Sequence, residues 1–386
     1  MVCWGMRPML QPVSAPTITR PRLAWMDNLR IVLIAGVIAA HVSITYVLDY
    51  DWYYEERGAA TATEVILAPI IGVGLLFGMG LLFFIAGTLS SPAVRRKGPG
   101  RFALDRAIRL GIPLAFYVVA IEPLNDYIGD LPEGAGPLQD YYVNWWTTGE
   151  VAVGVMWFVA ILLVFSIGLA AFRLLRPGPA PQPRPPLARE LGLAVAVVFV
   201  ASFLVRLVWP FGSDTPLDLN LWESPQMLAL FVLGTSAGDH RWFVDGLPDD
   251  VWHRCAALAV CGVAVLLVAG AIFISGDMDA FLGGVQAQAV AFPLAEGLIS
   301  VGASVWIAEL FRRRWNRGGP LSRHLGRASF GAYVAHTPVI VTLAIALGTL
   351  DVPVEVKLVL VIIGGLAGSF GLGWLATRWR PLARIL

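Results

Sequence analysis

Of 386 residues, 57% are hydrophobic and 14% charged, and mean hydropathy is +0.70, whereas a soluble chain carries roughly 25% charged residues. Length alone would give two or three soluble domains; this composition excludes them and gives a multi-spanning membrane protein instead. Lys and Arg number 28 against 27 Asp and Glu, so the chain as a whole offers no strongly charged surface, and nucleic acid is not an expected partner.

Met1 to Pro21 holds four prolines and no unbroken apolar run of seven residues, which reads as part of a flexible cytoplasmic segment, 1–26, and not as an export signal. From Ile31 onward, apolar runs near the ~20 residues that cross a bilayer recur, each ended by charge, Pro or Gly. Ten spans are predicted, at 31–48, 65–90, 107–124, 151–172, 190–209, 225–238, 255–275, 283–311, 328–349 and 356–377. The expected fold is all-α: a polytopic helical bundle of about ten transmembrane helices in one domain, 27–377, with a short tail at 378–386. The sixth span is short. The second and eighth are long enough to tilt or break, at Gly72, Gly74, Gly78 and Gly80 or at Pro293, although close helix contact is the better reading of the four glycines.

Charge on alternate connections orients the bundle. With the N-terminus inside, 25 of the 28 Lys and Arg fall on inner segments, and only Arg57, Arg206 and Lys357 lie outside, where Asp49, Asp51, Glu55 and Glu56 gather. Cytoplasmic flanks collect positive charge, so both termini are expected in the cytoplasm. An odd number of spans would put Arg378, Arg380 and Arg384 on the wrong side. The stretch from Asn125 to Glu150 is too short for a core of its own, and Pro177 to Pro186 reads as a stiff inner linker.

Ionisable residues inside spans cost free energy and are functional candidates by default. His41 follows Arg30 by eleven residues, about 20° off a whole number of turns and about 16 Å of rise, so the two share a helix face. That face would join an anion site at the inner surface to a proton-handling group within the membrane. Equally, an Arg at a helix start is ordinary topology and a lone His can bond a neighbouring helix. His336, two residues before Pro338, is a second intramembrane imidazole, at a predicted local break in its helix. Arg106 and Arg109, at i and i+3, project from one side of a helix start. They read as a phosphate clamp or, with Asp105 pairing to Arg109, as a headgroup anchor. Arg312, Arg313 and Arg314 read as topological. Glu122 and Glu296 each contact a polar substrate or sit neutral and hydrogen-bonded. Cys3, Cys255 and Cys261 lack disulfide or ligand spacing, and no metal site is expected. No P-loop, G-x-S-x-G elbow or H-E-x-x-H motif is present.

Asp27-Asn-Leu-Arg30 followed by His41 resembles the acyltransferase-3 family of integral membrane O-acyltransferases, particularly its glucan-succinylating branch, the glucans biosynthesis protein C group. Phe83-Phe-Ile-Ala-Gly87, Arg106 to Pro113, Met156-Trp-Phe158 and Ser329 to Pro338 resemble further family segments, in the family's order. Ala86 stands where many members have Ser, and no esterase-like segment follows the tenth span, which suggests a stand-alone enzyme. The resemblance implies transfer of an acyl group, of acetyl or succinyl type, from cytoplasmic acyl-CoA to a hydroxyl of an extracytoplasmic glycan or related acceptor. Residue by residue it implies His41 as general base, Arg30 orienting the donor and His336 positioning acceptor or base. Arg30, Arg106 and Arg109 would hold CoA, and Glu122 and Trp157 the acceptor. An acyl-His41 intermediate is the other catalytic scheme.

Acyl-CoA is a co-substrate, and no permanently bound cofactor is expected. Arg206 would meet a succinyl carboxylate only if its span turns it inward. Trp145, Trp146, Tyr141 and Tyr142 read as interface aromatics, with sugar stacking the other reading. The rival function is a proton-coupled exporter or flippase of a glycan or lipid-linked solute, with His41 and His336 as relay groups. Membrane lipid surrounds the chain on either reading, the expected location is a bacterial inner membrane, and oligomeric state is not readable.

Overall fold

The structure is a computed structural model that describes residues 23–48, 50, 52–58, 61–149, 151–272 and 278–385. The sequence expectations for Cys3, Arg7, Arg20, Arg22, Asp49, Asp51 and Glu150, and for most of the leading segment, lie outside those residues. The described residues are organised as helices without strands: α1 (Ala24–Tyr46), α2 (Thr61–Lys97), α3 (Pro99–Glu133), α4 (Leu138–Thr148), α5 (Trp157–Leu175), α6 (Ala188–Arg206), α7 (Ser224–Asp239), α8 (Asp249–Ile272), α9 (Ala287–Arg314), α10 (Pro320–Gly348) and α11 (Val354–Arg378). Among them, all but α4 and α7 are long and apolar enough to cross a membrane, so nine helices meet that criterion where ten spans were expected.

The difference lies in the predicted sixth span. Helix α7 has 16 residues, about 24 Å of rise, short of a full hydrocarbon crossing of about 30 Å. A 3-10 turn, Leu221–Glu223, leads directly into α7, and its Trp222 and Glu223 are buried among the helices. Helix α7 runs parallel to the C-terminal half of α2. A Cβ on Gly234 would meet the Phe84 carbonyl, one on Gly238 the Thr88 carbonyl and one on Gly87 the Phe231 carbonyl, so glycine is what lets these backbones touch. At the end of this contact Asp239 accepts hydrogen bonds from Ser91 Oγ (2.5 Å), Arg95 Nε (2.8 Å) and Arg173, joining the ends of α2, α7 and α5.

Other expectations shift for physical reasons. Helices α2 and α9 run unbroken through their prolines. Of the four glycines in the middle of α2 only Gly80 meets a neighbour, Leu230 and Gln226 of α7; Gly72, Gly74 and Gly78 have open space where a Cβ would stand. Gly74 and Gly78, with Gly36 of α1, instead line an apolar cavity of about 970 Å³ between α1, α2, α9 and α10.

Helix α3 contains two wider π-helical turns, Ala107–Gly111 and Tyr117–Ile121. Each precedes a proline, Pro113 and Pro123, which has no N–H to give to the carbonyl four residues back, and such bulges often mark functional sites. Helix α10 packs on α11 and α1 and begins eight residues before the predicted span. Arg30 near the start of α1 and Arg378 at the end of α11 line one cavity, so the first and last spanning helices leave the bundle at the same, arginine-rich end.

Candidate active site

Two cavities approach each other along the face of α1 that carries Arg30 and His41. The first, about 720 Å³, opens at the arginine-rich end and brings Arg30, Arg106 and Arg109 together, joined by Arg327, Arg378 and His324. The π turn over Ala107–Gly111 sets where Arg109 projects. Arg109 pairs with Asp105 at 3.3 Å, as its i,i+4 spacing predicts, and Asp105 also binds Lys97 at 2.8 Å. Arg106 donates to Ser90 Oγ at 3.1 Å and lies 5.2 Å from the Phe102 ring centroid. Its Nε is buried without a partner among the described residues. Deeper walls are apolar, supplied by Ile34, Leu82, Ala86 and Phe158; Ala86 offers no hydroxyl there.

The second cavity, about 290 Å³, lies at the other end and is lined by His41, Glu122 and Trp157, the expected residues, together with Trp52, Tyr53, Asp126, Trp145, Gly154, Asp218 and Asn220. Tyr333 links the two. Its ring lines the first cavity and stacks on His336 at 5.5 Å, and its hydroxyl donates to the carbonyl of Val155, a residue of the second.

The two imidazoles meet between the cavities, with ring centroids 4.9 Å apart. His41 Nδ1 is 2.8 Å from the Val37 carbonyl and His336 Nδ1 is 2.5 Å from the Tyr333 carbonyl. A carbonyl only accepts, so each neutral ring carries its proton on Nδ1 and keeps the Nε2 lone pair. His336 is fully buried, and its Nε2 has no partner among the described residues. The predicted break at Pro338 does not occur: α10 continues through it, as spanning helices tolerate when side chains and neighbours re-satisfy the freed backbone groups.

The segment 52–58, between α1 and α2, brings the aromatic wall. Glu56 N–H donates to the Thr45 carbonyl at 2.9 Å and Lys357 Nζ to Glu56 Oε1 at 2.6 Å, which fastens the segment to α1 and α11 and sets Trp52 5.1 Å from His41. Tyr53 donates to Glu122 Oε1 at 2.6 Å. Burial, with Tyr117 and Glu122 beside it, pushes the Tyr53 hydroxyl well above the ordinary phenol range, so it stays protonated as a donor. Glu122 follows the second π turn and also receives Asn125 Nδ2 at 3.4 Å. Asn125 holds the Tyr117 hydroxyl at 3.0 Å, and that hydroxyl reaches Thr337, next to His336, at 3.3 Å. Gly154, at φ +48°, lies where a Cβ would collide with both Glu122 carboxyl oxygens.

Opposite, the segment before α7 holds Leu217, Asp218 and Asn220 at φ 57°, 58° and 48°, a left-handed conformation that only Asn and Asp adopt readily among residues with a Cβ. Val153 N–H donates to the Leu217 carbonyl at 3.1 Å, and the segment presents Asp218 and Asn220 to the cavity.

Several residues go elsewhere. Arg206 is 2% exposed and lines neither cavity; its guanidinium binds Glu296 at 2.9 Å and lies 5.1 and 5.0 Å from the Phe211 and Phe292 rings. Neither Arg206 nor Glu296 therefore meets a substrate in these cavities. Arg312 and Arg313 pair with buried Glu309 at 2.7 Å. Trp145 departs from the interface reading by lining the second cavity, whereas Trp146 is exposed, Tyr141 binds Asp130 at 2.6 Å and Tyr142 the Ala120 carbonyl at 2.5 Å.

A family model described as an acyltransferase domain, the third acyltransferase family, matches residues 23–378. The chain belongs to the acyltransferase-3 family. With nine helices long and apolar enough to cross a bilayer among its described residues, this acyltransferase is a multi-pass membrane protein. No curated protein matches it.

Proposed function

We propose that the acyltransferase takes an acyl group from acyl-CoA at its arginine-rich, cytoplasmic end and transfers it to a hydroxyl of a glycan or similar acceptor held at the opposite end. The observation that carries this reading is the convergence of a cationic cavity and an aromatic, hydroxyl-binding cavity on the His41–His336 pair. Acyl-CoA is a polyanion with a long uncharged arm. Its phosphates suit Arg30, Arg106, Arg109, Arg327 and Arg378, and its arm suits the apolar walls beyond them. Aromatic faces with carboxyl and amide groups between them suit a sugar, and Trp52 and Trp145 each bury an indole N–H with no partner among the described residues. The same acceptor chemistry fits a glucan, the acceptor of the branch that the sequence resembles.

In this mechanism His41 Nε2 takes the proton of the acceptor hydroxyl as its oxygen attacks the thioester carbonyl. The new O–C bond forms, the C–S bond breaks, and the proton passes from the imidazolium to the departing thiolate, leaving His41 as it began. His336, in ring contact with His41, positions it, and Arg30 orients the donor. The excess of Lys and Arg at the donor end supports placing that end, and both chain termini, in the cytoplasm of a bacterial inner membrane.

The test is release of free CoA thiol by membrane vesicles from cells that make the chain, vesicles that also carry the native acceptor. General-base help is typically worth about 10²–10⁴-fold, so His41→Ala should lower kcat by that much while acyl-CoA binding stays unchanged. A rate within threefold of wild type would refute the assignment.

A further inference from the structure

The charges around the reacting centre constrain the acyl group itself. At the end of the bundle that holds His41, the described residues include three cations, Arg57, Arg206 and Lys357. Each is committed to a carboxylate of the chain: Arg57 to Glu55 at 3.0 Å, Arg206 to Glu296 at 2.9 Å and Lys357 to Glu56 at 2.6 Å. None lines the His41 cavity, whose ionisable residues besides His41 are the acids Glu122, Asp126 and Asp218 and the phenols Tyr50 and Tyr53. On the donor side the guanidinium groups stand at the mouth, and the wall between them and the imidazoles is Ile34, Leu82, Ala86, Phe158 and Tyr333. His336, fully buried with its Nε2 unpartnered among the described residues, stands beside His41 on α10 and brings no charge-bearing partner with it.

From this we infer that the acyl group transferred is uncharged, and that a dicarboxylic group such as succinyl is rejected. The inference deepens the function proposed above and rests on it. A second carboxylate on the acyl chain would leave its counter-charges behind at the arginine mouth. It would then sit unpaired among apolar side chains, or emerge beside Asp126 and Asp218. A buried charge without a partner is among the costliest contacts a protein can hold, and like charges suppress a wrong substrate more sharply than a missing contact does. An acetyl, propionyl or butyryl group meets neither penalty. The sequence alone left Arg206 as the residue that would favour succinyl; its burial against Glu296 removes that route.

The experiment supplies membrane vesicles from cells with and without the chain with acetyl-, butyryl- or succinyl-CoA, labelled in the acyl group, and counts label held as hydroxylamine-labile ester. Acetyl or butyryl label should enter at least a hundredfold faster than succinyl label. In the Asp126→Asn/Asp218→Asn variant, which keeps side-chain shape and suits the left-handed backbone at 218, that ratio should narrow about tenfold, whatever the fall in total rate. Succinyl label entering as fast as acetyl label would overturn the inference and leave acyl transfer standing. Chain-dependent label from no donor would overturn the acyl-CoA reading, and the inference with it.

Discussion

Gly154→Ala tests the seating of Glu122. At φ +48° an added Cβ runs into both carboxyl oxygens of Glu122, and the left-handed conformation itself costs an alanine about 1–2 kcal/mol. Glu122 must then move, and the buried Tyr53 hydroxyl that donates to it at 2.6 Å loses its acceptor, a loss of about 1–3 kcal/mol. The combined penalty is about 2–5 kcal/mol. Displacing a positioning group by about 1 Å costs on the order of 10²-fold in rate, so kcat/KM for acyl transfer should fall by that factor. Thiol release in vesicles gives the rate, and tryptophan fluorescence melting of the detergent-purified protein gives the stability. A double-mutant cycle isolates the cause: with Glu122→Gly present, the added Cβ has nothing to strike, and Gly154→Ala should cost at most tenfold further. Undiminished activity in Gly154→Ala, or an equal loss in both backgrounds, would refute the argument.

Arg327→Gln and Arg378→Gln should each raise KM for acyl-CoA about tenfold or more, since a hydrogen bond to a charged group contributes about 1.5–3 kcal/mol. In the same assay kcat should stay within threefold, and Arg96→Gln, which lines none of the three cavities above, should leave both constants unchanged. Asp239→Asn strands Arg95 and Arg173 at the junction of α2, α5 and α7 and should lower stability by about 1–3 kcal/mol, read as an earlier melt with KM for acyl-CoA preserved.

Much of the site is legible in the sequence because helical spacing is rigid. Arg30 and His41 share a face by arithmetic, Arg106 and Arg109 by their i,i+3 offset, and an imidazole within an apolar span demands an explanation. What stays hidden is which helix meets which. Hydropathy marks His41 and His336 as buried but holds nothing that brings them to 4.9 Å; that follows from α10 packing on α1. Trp52, Tyr53, Asp218 and Asn220 belong to connections, where an aromatic reads as an interface residue and an acid as a solvated one. Arg327 and Arg378 look like topology signals until they join Arg30 in one cavity. The shortness of α7 had a trace in its 14-residue apolar run, but the burial of Trp222 and Glu223 before it is a tertiary outcome. The glycines of α2 misled because small residues fit close packing and open space equally well, and only the neighbours decide.

Mass spectrometry of surface glycans and polar lipids from cells carrying the wild-type chain, a deletion or His41→Ala at normal abundance tests the central claim most directly. In both mutants one glycan or lipid species should persist while losing a single acyl group, with a mass difference equal to an uncharged acyl such as acetyl. If that acyl group stays on with His41→Ala, or if the whole glycan vanishes from the surface and accumulates inside, His41 is not the base of an acyl transfer and the account fails.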